Sequence, residues 1–457
     1  MRPFVWPWLA ISSLLLGGLE ASAETRPQYG GTLHVMTRAT LSSLDPGDVT
    51  QPDSFARRTV ISLLFDTLVI TDQSGRPVGS LAQSWQAARG NQRLQIRLRP
   101  GIRFQDGTPL NGAIVASTLR RVNPSWEVVA DGDSVVIGGG ASEGELLQEL
   151  ALPRNAVAKR DSEDKLSGTG PFHLVDWQVG KKLTLAADDN CWRGRPFLDG
   201  IDINLDTTFR DQITALELNR ADLIEVAPEQ INHISPERFR LARSAPIELL
   251  ALMFTLDASS EEEKTLREAL RSSIERTSMH SVLLQGAGQA TAALLPTWIS
   301  GYGFVFPAEA DLAKARQLRN SVQSVPTWTL EYDSHNPLAR LLAERIALNA
   351  RDAGLSVRPT TSAGAGLRLV QIPLVSSDPW VSFDELLAQL ALPASPSKGL
   401  SIEDSYAEEQ RVLATHRIIP LFHLPASYAS ESSLRGWTIR TDGSLELANA
   451  WLKTPQP

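Results

Sequence analysis

Bond-making chemistry leaves spacing signatures in a sequence. The 457 residues contain no His-Glu-x-x-His pair, no phosphate-binding Gly-x4-Gly-Lys-Ser/Thr loop and no paired-cysteine metal spacing. The seven histidines are scattered, and the closest two, His416 and His423, flank Pro420 in a strand-like run. That spacing suits surface or cleft positions better than a ligand pair. Cys191 is the only cysteine, so no disulfide can form within the chain, and it reads as a small buried hydrophobe. One segment carries a more serious decoy. Val135-Val136-Ile137 runs into Gly138-Gly139-Gly140, then Gly144 and the helix-like Glu145-Leu146-Leu147, the order that cradles a pyrophosphate at a helix start. Here the last glycine interval is one residue too long, and Glu143 and Glu145 put negative charge where phosphate would sit. The expectation is an ordinary strand–loop–helix connection, and a chain with no resident cofactor or metal.

The elements around these residues are mixed. Leu94, Ile96 and Leu98 alternate with Gln95, Arg97 and Arg99; Pro100-Gly101 turns, and Ile102 and Phe104 alternate again, which predicts a hairpin with one buried face. Thr32–Met36 reads as a strand. Ser259-Ser260 before three glutamates opens a helix whose stripe is Leu266, Ala269, Leu270 and Ile274. Trp328–Tyr332, the helix opened by Asn336-Pro337 and closed by Gly354, and Leu355–Val357 form a strand–helix–strand unit that predicts a parallel pair. The class is α/β. With 42% hydrophobic and 21% charged residues the composition is globular, and the length predicts two or three domains. A net charge of −8 without a basic stripe excludes a nucleic-acid partner. At the start, Arg2, the apolar run to Leu19 and Ala21-Ser22-Ala23 predict a cleaved leader of residues 1–23. No cysteine stands at the cut, so a periplasmic protein without a lipid anchor is expected.

Read in order, several blocks resemble one family. Gly30-Gly31-Thr32-Leu33, Ser43-Leu44-Asp45-Pro46 and Leu63–Val69 are similar to the opening of the family 5 extracellular solute-binding proteins, the peptide- and nickel-binding receptors of ABC importers. Leu81–Trp85 with Leu94–Pro109, Gly168-Thr169-Gly170-Pro171-Phe172 with Trp177, Trp192–Asp199, Leu266–Gly286 and Leu312–Arg316 resemble its later blocks. The likeness covers most of 30–360. Two stretches depart from it by being short: 111–167, and the region after Pro359.

The resemblance implies a two-lobed periplasmic-binding-protein-like fold of type II with an extra subdomain and a hinged interlobe cleft. Lobe 1 would be 24–45, 168–247 and 424–457; the subdomain 46–167; lobe 2 248–423. It implies a non-catalytic, monomeric receptor that delivers a short peptide or similar polar solute to a membrane permease. Peptide-binding members hold the ligand's ammonium with an aspartate near tryptophan, for which Asp378-Pro379-Trp380 is the nearest match, because burying an ammonium without a carboxylate is costly. The expected ligand contacts are Asp378 and Trp380, Asp45 and Pro46 at the lip of lobe 1, Trp298 and Tyr302 packed over ligand, and Phe422 and His423 near the hinge. Two alternatives stay open: a nickel or metal-chelate receptor on the same fold, testing His423 or His173, and a periplasmic derivative without transport.

Overall fold

The computed structural model describes residues 26–88, 93–138, 142–393 and 401–453. The leader read at 1–23 lies outside these residues. In chain order the elements are β1 (Thr32–Met36), α1 (Phe55–Leu64), β2 (Ala82–Ala88), β3 (Arg93–Leu98), α2 (Gly112–Val122), β4 (Glu127–Asp131), β5 (Ser134–Gly138) and α3 (Glu143–Leu150). Then come β6 (Phe172–Gln178), β7 (Lys182–Ala187), β8 (Gly200–Asn204), α4 (Phe209–Glu217), β9 (Leu223–Glu225) and the long β10 (Phe239–Phe254). The remainder is α5 (Glu261–Ser273), α6 (Arg276–Val282), α7 (Leu312–Asn320), β11 (Thr327–Glu331), α8 (Pro337–Asp352), β12 (Ser356–Thr360), β13 (Leu367–Pro373), α9 (Pro379–Gln389), α10 (Ile402–Leu413) and the long β14 (Ile418–Glu431).

The main sheet runs β6-β7-β8-β1-β9-β14-β10-β13-β11-β12, with the short strand Gln289–Ala290 also paired to β14. It has two halves. In the first, β1 lies parallel to β8 and β9, and Leu33 and Val35 point inward while Thr32 and His34 face out. In the second, β11 and β12 are parallel and β13 is antiparallel to β10. Only β10 and β14 belong to both halves. They run antiparallel from Phe239 opposite Glu431 to Met253 opposite Ile418. Their register shifts midway, between Arg243, Pro246 and Glu248, where Pro246 stands opposite Pro425. Neither proline can donate to the ladder, so the pairing is weakest at the crossing.

The predicted helix signals form as expected. Ser260 caps α5 through the Glu263 amide, and Leu266, Ala269 and Leu270 are buried. Asn336 caps α8, and Gly354 closes it at φ +80° before β12. The glycine decoy resolves as a plain connection: Ser142 and Glu145 form a reciprocal capping box at the start of α3. Those end groups are thus satisfied by the chain itself; Gly139 and Gly140 lie outside the described residues.

The predicted hairpin is overturned. Both edges of β3 are occupied, by β2 and by β5, so the run after Pro100-Gly101 has no ladder to join. Ile102 and Phe104 are still buried, but Arg103 instead bridges Pro109 around the Asp106-Gly107 turn. The apolar alternation was real; its pairing partner was misassigned.

Packing follows the sheet. One apolar cluster joins Leu33, Phe172 and Ile201 of the first half to Phe383 and Leu386 of α9 and to Ile418. A second fills the outer face of the second half with Leu252, Phe254, Leu270, Ile346 and Phe422. A third, with Leu94, Ile96, Leu119 and Ile137, belongs to the four-stranded sheet β2-β3-β5-β4 and its helices. Among the described residues no helix is long and apolar enough to cross a membrane.

Candidate ligand-binding site

A cavity of about 310 Å³ lies where β10 and β14 cross, and both sheet halves line it. Arg38, Phe209, Glu225 and Tyr428 come from the first half; Glu248, Gln371 and Leu424 come from the second. Arg38 lies just past β1 and Glu225 ends β9, Phe209 opens α4, and Glu248, Gln371, Leu424 and Tyr428 lie within β10, β13 and β14.

The first-half wall is rigidly built. Arg38 follows β1, and its guanidinium lies 4.6 Å from the centroid of the Phe209 ring. Its backbone N–H donates to Glu225 Oε2 at 2.8 Å, and Thr37 Oγ1 donates to Glu225 Oε1 at 2.7 Å. Gln212 accepts the Glu225 amide at 2.8 Å, which fixes the strand end. The Arg38 side chain then reaches over to Asp333, just beyond β11, at 3.1 Å, so one ion pair already spans the two halves.

Glu248 differs from every other acid at the site. It sits within the irregular stretch of β10, and Gln371 Nε2, a neutral donor, meets its Oε2 at 2.6 Å. Burial raises its pKa to about 7, and the nearby charge of Glu225 adds to the rise while Arg38 and Arg58 oppose it. Burial likewise raises Glu225, against the hydrogen bonds from Arg38 and Thr37. Two acids with raised pKa values and neutral or backbone donors thus line one small cavity. They can take up a cationic group from a ligand, while Arg38, beside Glu225 and across from Glu248, adds a positive charge to the first-half wall.

A second set of contacts fastens the halves beside the cavity. Arg58 of α1 is 1% exposed; it pairs with Asp53 and donates to the carbonyls of Leu374, at 2.7 Å, and Pro373, at 3.2 Å, in the second half. Arg154 pairs with Glu385 of α9.

The eight residues expected from sequence do not line this cavity. Asp45 is clamped by Arg121 at 2.8 Å and by Arg160, and it borders a different hollow of about 880 Å³ beside the four-stranded unit. The Pro46 carbonyl accepts from Arg57 at 3.2 Å. Asp378 caps α9, its Oδ1 accepting from the Trp380 and Val381 amides at 3.0 Å, and Trp380 packs edge-on against Phe383. Tyr302 is buried among Phe306 and Tyr406, and burial with the Glu409 charge pushes its phenol up. Phe422 is fully buried in the outer core of the second half. His423 lies 3.0 Å from the Leu294 carbonyl, and burial lowers its pKa to about 4, leaving it neutral. Trp298 touches the crossing: its Nε1 donates to the Pro246 carbonyl at 2.7 Å. His173 lines the Asp45 hollow. Among the described residues no three His, Cys, Asp or Glu side chains gather as metal ligands.

Glu225, Glu248 and Arg38 line this cavity and were not among the residues expected from the sequence, although a signal existed. Glu248 is the one charge in Ile247–Phe254, and Glu225 interrupts Leu223-Ile224-Glu225-Val226. A lone acid in an apolar strand must be satisfied internally or serve a ligand.

The family model described as bacterial extracellular solute-binding proteins, family 5 middle, matches residues 141–371. The nickel-binding protein NikA of Staphylococcus aureus is 26% identical over 239 residues, 48% of either chain. The oligopeptide-binding protein AppA of Bacillus subtilis is 23% identical over 330 residues, 63% of this chain and 57% of that one. The chain thus spans about half the length of these curated relatives. The solved dipeptide-binding protein of Pseudoalteromonas sp. SM9913, in complex with Met-Leu, superposes with a TM-score of 0.81 at 16% identity, covering 93% of this chain and all of that one. That likeness extends over nearly the whole chain and is one of fold, a large mixed sheet in a periplasmic-binding-protein architecture. With half the sequence matched by the family model and that fold around the cavity, the chain belongs to the family 5 bacterial extracellular solute-binding proteins.

Proposed function

We propose that this protein is a non-catalytic, monomeric receptor that closes two lobes on a short peptide or similar zwitterionic solute and presents it to the permease of an ABC importer. The observation that carries this is Glu248 with Gln371 facing Glu225 and Arg38 from opposite sheet halves across one 310 Å³ cavity. A ligand touching both walls favours the closed arrangement by its differential affinity for it. In this reading Glu248 takes the role expected of Asp378, and Arg38 lies toward the ligand's carboxylate. The volume is near the lower end for small-molecule sites and suits a dipeptide better than a long chain. The lobes would be 24–45, 168–247 and 424–457 against 248–423, with 46–167 as subdomain; the shift of register at Pro246 and Pro425 and the separate third core support that division. Residues 1–23 would direct export to the periplasm, without a lipid anchor.

Calorimetry with defined dipeptides, and small-angle scattering with and without them, test the reading. Binding with compaction, lost when the N-terminus is acetylated, is the expected result; no compaction with any dipeptide overturns it. The nickel-binding relative supports a second reading, a chelated metal ion in the same cavity. Equilibrium dialysis with nickel and free histidine separates the two.

A further inference from the structure

Away from the cleft, α5, α6 and the start of α7 enclose an open depression of about 510 Å³ lined by Arg271, Ser272, Arg276, Glu309, Asp311 and Lys314. Its polar groups are unevenly satisfied. Lys314 pairs with Glu268 at 2.8 Å, and Asp311 caps α7 by accepting the Lys314 amide at 2.8 Å while its own N–H donates to the Ser272 carbonyl. The two arginines are different. Arg276 is 2% exposed, and its Nε and Nη1 donate to the carbonyls of Pro420 at 3.0 Å, Ala308 at 3.3 Å and Ile274 at 3.4 Å. Nη2 is buried without a partner, and among the described residues no carboxylate pairs with this guanidinium. Arg271 makes no ion pair among the described residues either, and its positive charge bears on Arg276. Burial and that repulsion bring the Arg276 guanidinium down to about 10, so it stays charged at neutral pH. Two like charges are held together in a part-buried wall, one with an unused donor; the Glu268 carboxylate bears on Arg271 but is already paired with Lys314, and no carboxylate pairs with Arg276 among the described residues. Glu309 stands exposed at the rim but makes no ion pair with either arginine.

We infer that this depression binds a small tetrahedral oxyanion of the phosphate or sulfate class between the Arg271 and Arg276 guanidinium groups. Guanidinium donors match the geometry and charge of such an oxyanion, and Arg276 is prearranged by its three backbone contacts. The site is distinct from the cleft and does not depend on the proposed ligand there. The rim carboxylate of Glu309 would repel the anion and so limit its affinity.

The test is isothermal titration and thermal melting of the full chain with sodium phosphate and sodium sulfate, against sodium chloride at equal ionic strength. A saturable one-site response to the oxyanions that chloride does not reproduce is expected. Arg271→Gln should weaken it by about tenfold or more, while Glu309→Gln should strengthen it. Arg276 is left intact, because three carbonyls depend on it for a donor. An equal response to chloride, or an unchanged affinity in a folded Arg271→Gln protein, overturns the proposal; the latter result would move the bound anion elsewhere on the surface.

Discussion

Two acidic positions, Asp45 and Glu248, make an instructive pair. Asp45, beside the four-stranded unit, meets two arginines, and its charge is answered within the chain. Glu248 at the crossing meets only a neutral amide, and burial holds its pKa at about 7. Both are carboxylates in segments that a sequence reader would inspect. The lesson is that a group neutralised by its own protein has little left for a guest, whereas one stabilised only by neutral donors is poised to accept a cation.

The contrast can be broken or sharpened by substitution. The largest effect should come from a group that is wholly internal. Arg58→Ala leaves Asp53 and the Leu374 and Pro373 carbonyls without their donor and should cost about 3–5 kcal/mol in urea unfolding. Next is Glu248→Gln, expected to weaken binding of dipeptides with a free N-terminus by roughly 10- to 100-fold, as calorimetry would read. In the absence of ligand the same variant should show the opposite sign in stability. A carboxyl raised from 4.5 to about 7 stabilises the fold fully below the lower value and loses that contribution as pH rises through the higher one. Glu248→Gln should therefore gain on the parent between these pH values by on the order of 1–2 kcal/mol, measured as the difference between denaturation curves. Asp45→Asn should change ligand affinity by no more than about twofold while costing on the order of 1 kcal/mol of stability, as two arginines lose their shared partner. A tenfold loss of affinity there would erase the distinction drawn between the two acids. The smallest effect is expected of Asp378→Ala, which removes a helix cap worth about 0.5–1 kcal/mol by thermal melting and leaves the preference for a free N-terminus intact.

Much of the scaffold could be read from residue order. Ser260, Asn336-Pro337 and Gly354 are local signals, and local signals survive folding. The unit β11-α8-β12 was legible for that reason. What failed was non-local. The alternation at Ile102 and Phe104 announced a buried face but could not reveal that β2 and β5 already occupied both edges of β3. The cavity is harder still, because Arg38, Glu225, Glu248 and Gln371 lie on four separated segments brought together by sheet order. Aromatic residues such as Phe422 and Tyr302 attracted attention by type, yet their size suits them to cores, and there they are.

The facing prolines at the crossing carry a mechanical consequence. A continuous ladder between β10 and β14 would have to break backbone hydrogen bonds whenever the sheet flexed, but Pro246 and Pro425 have no N–H to donate to it. Swinging one half against the other therefore demands little enthalpy from the joint itself. In the proposed two-lobed arrangement the resting angle would be left to the side-chain grips beside the cavity, Arg38 with Asp333 and Arg58 with its carbonyls, so a change in those few side chains should retune the angle without any alteration in the strands.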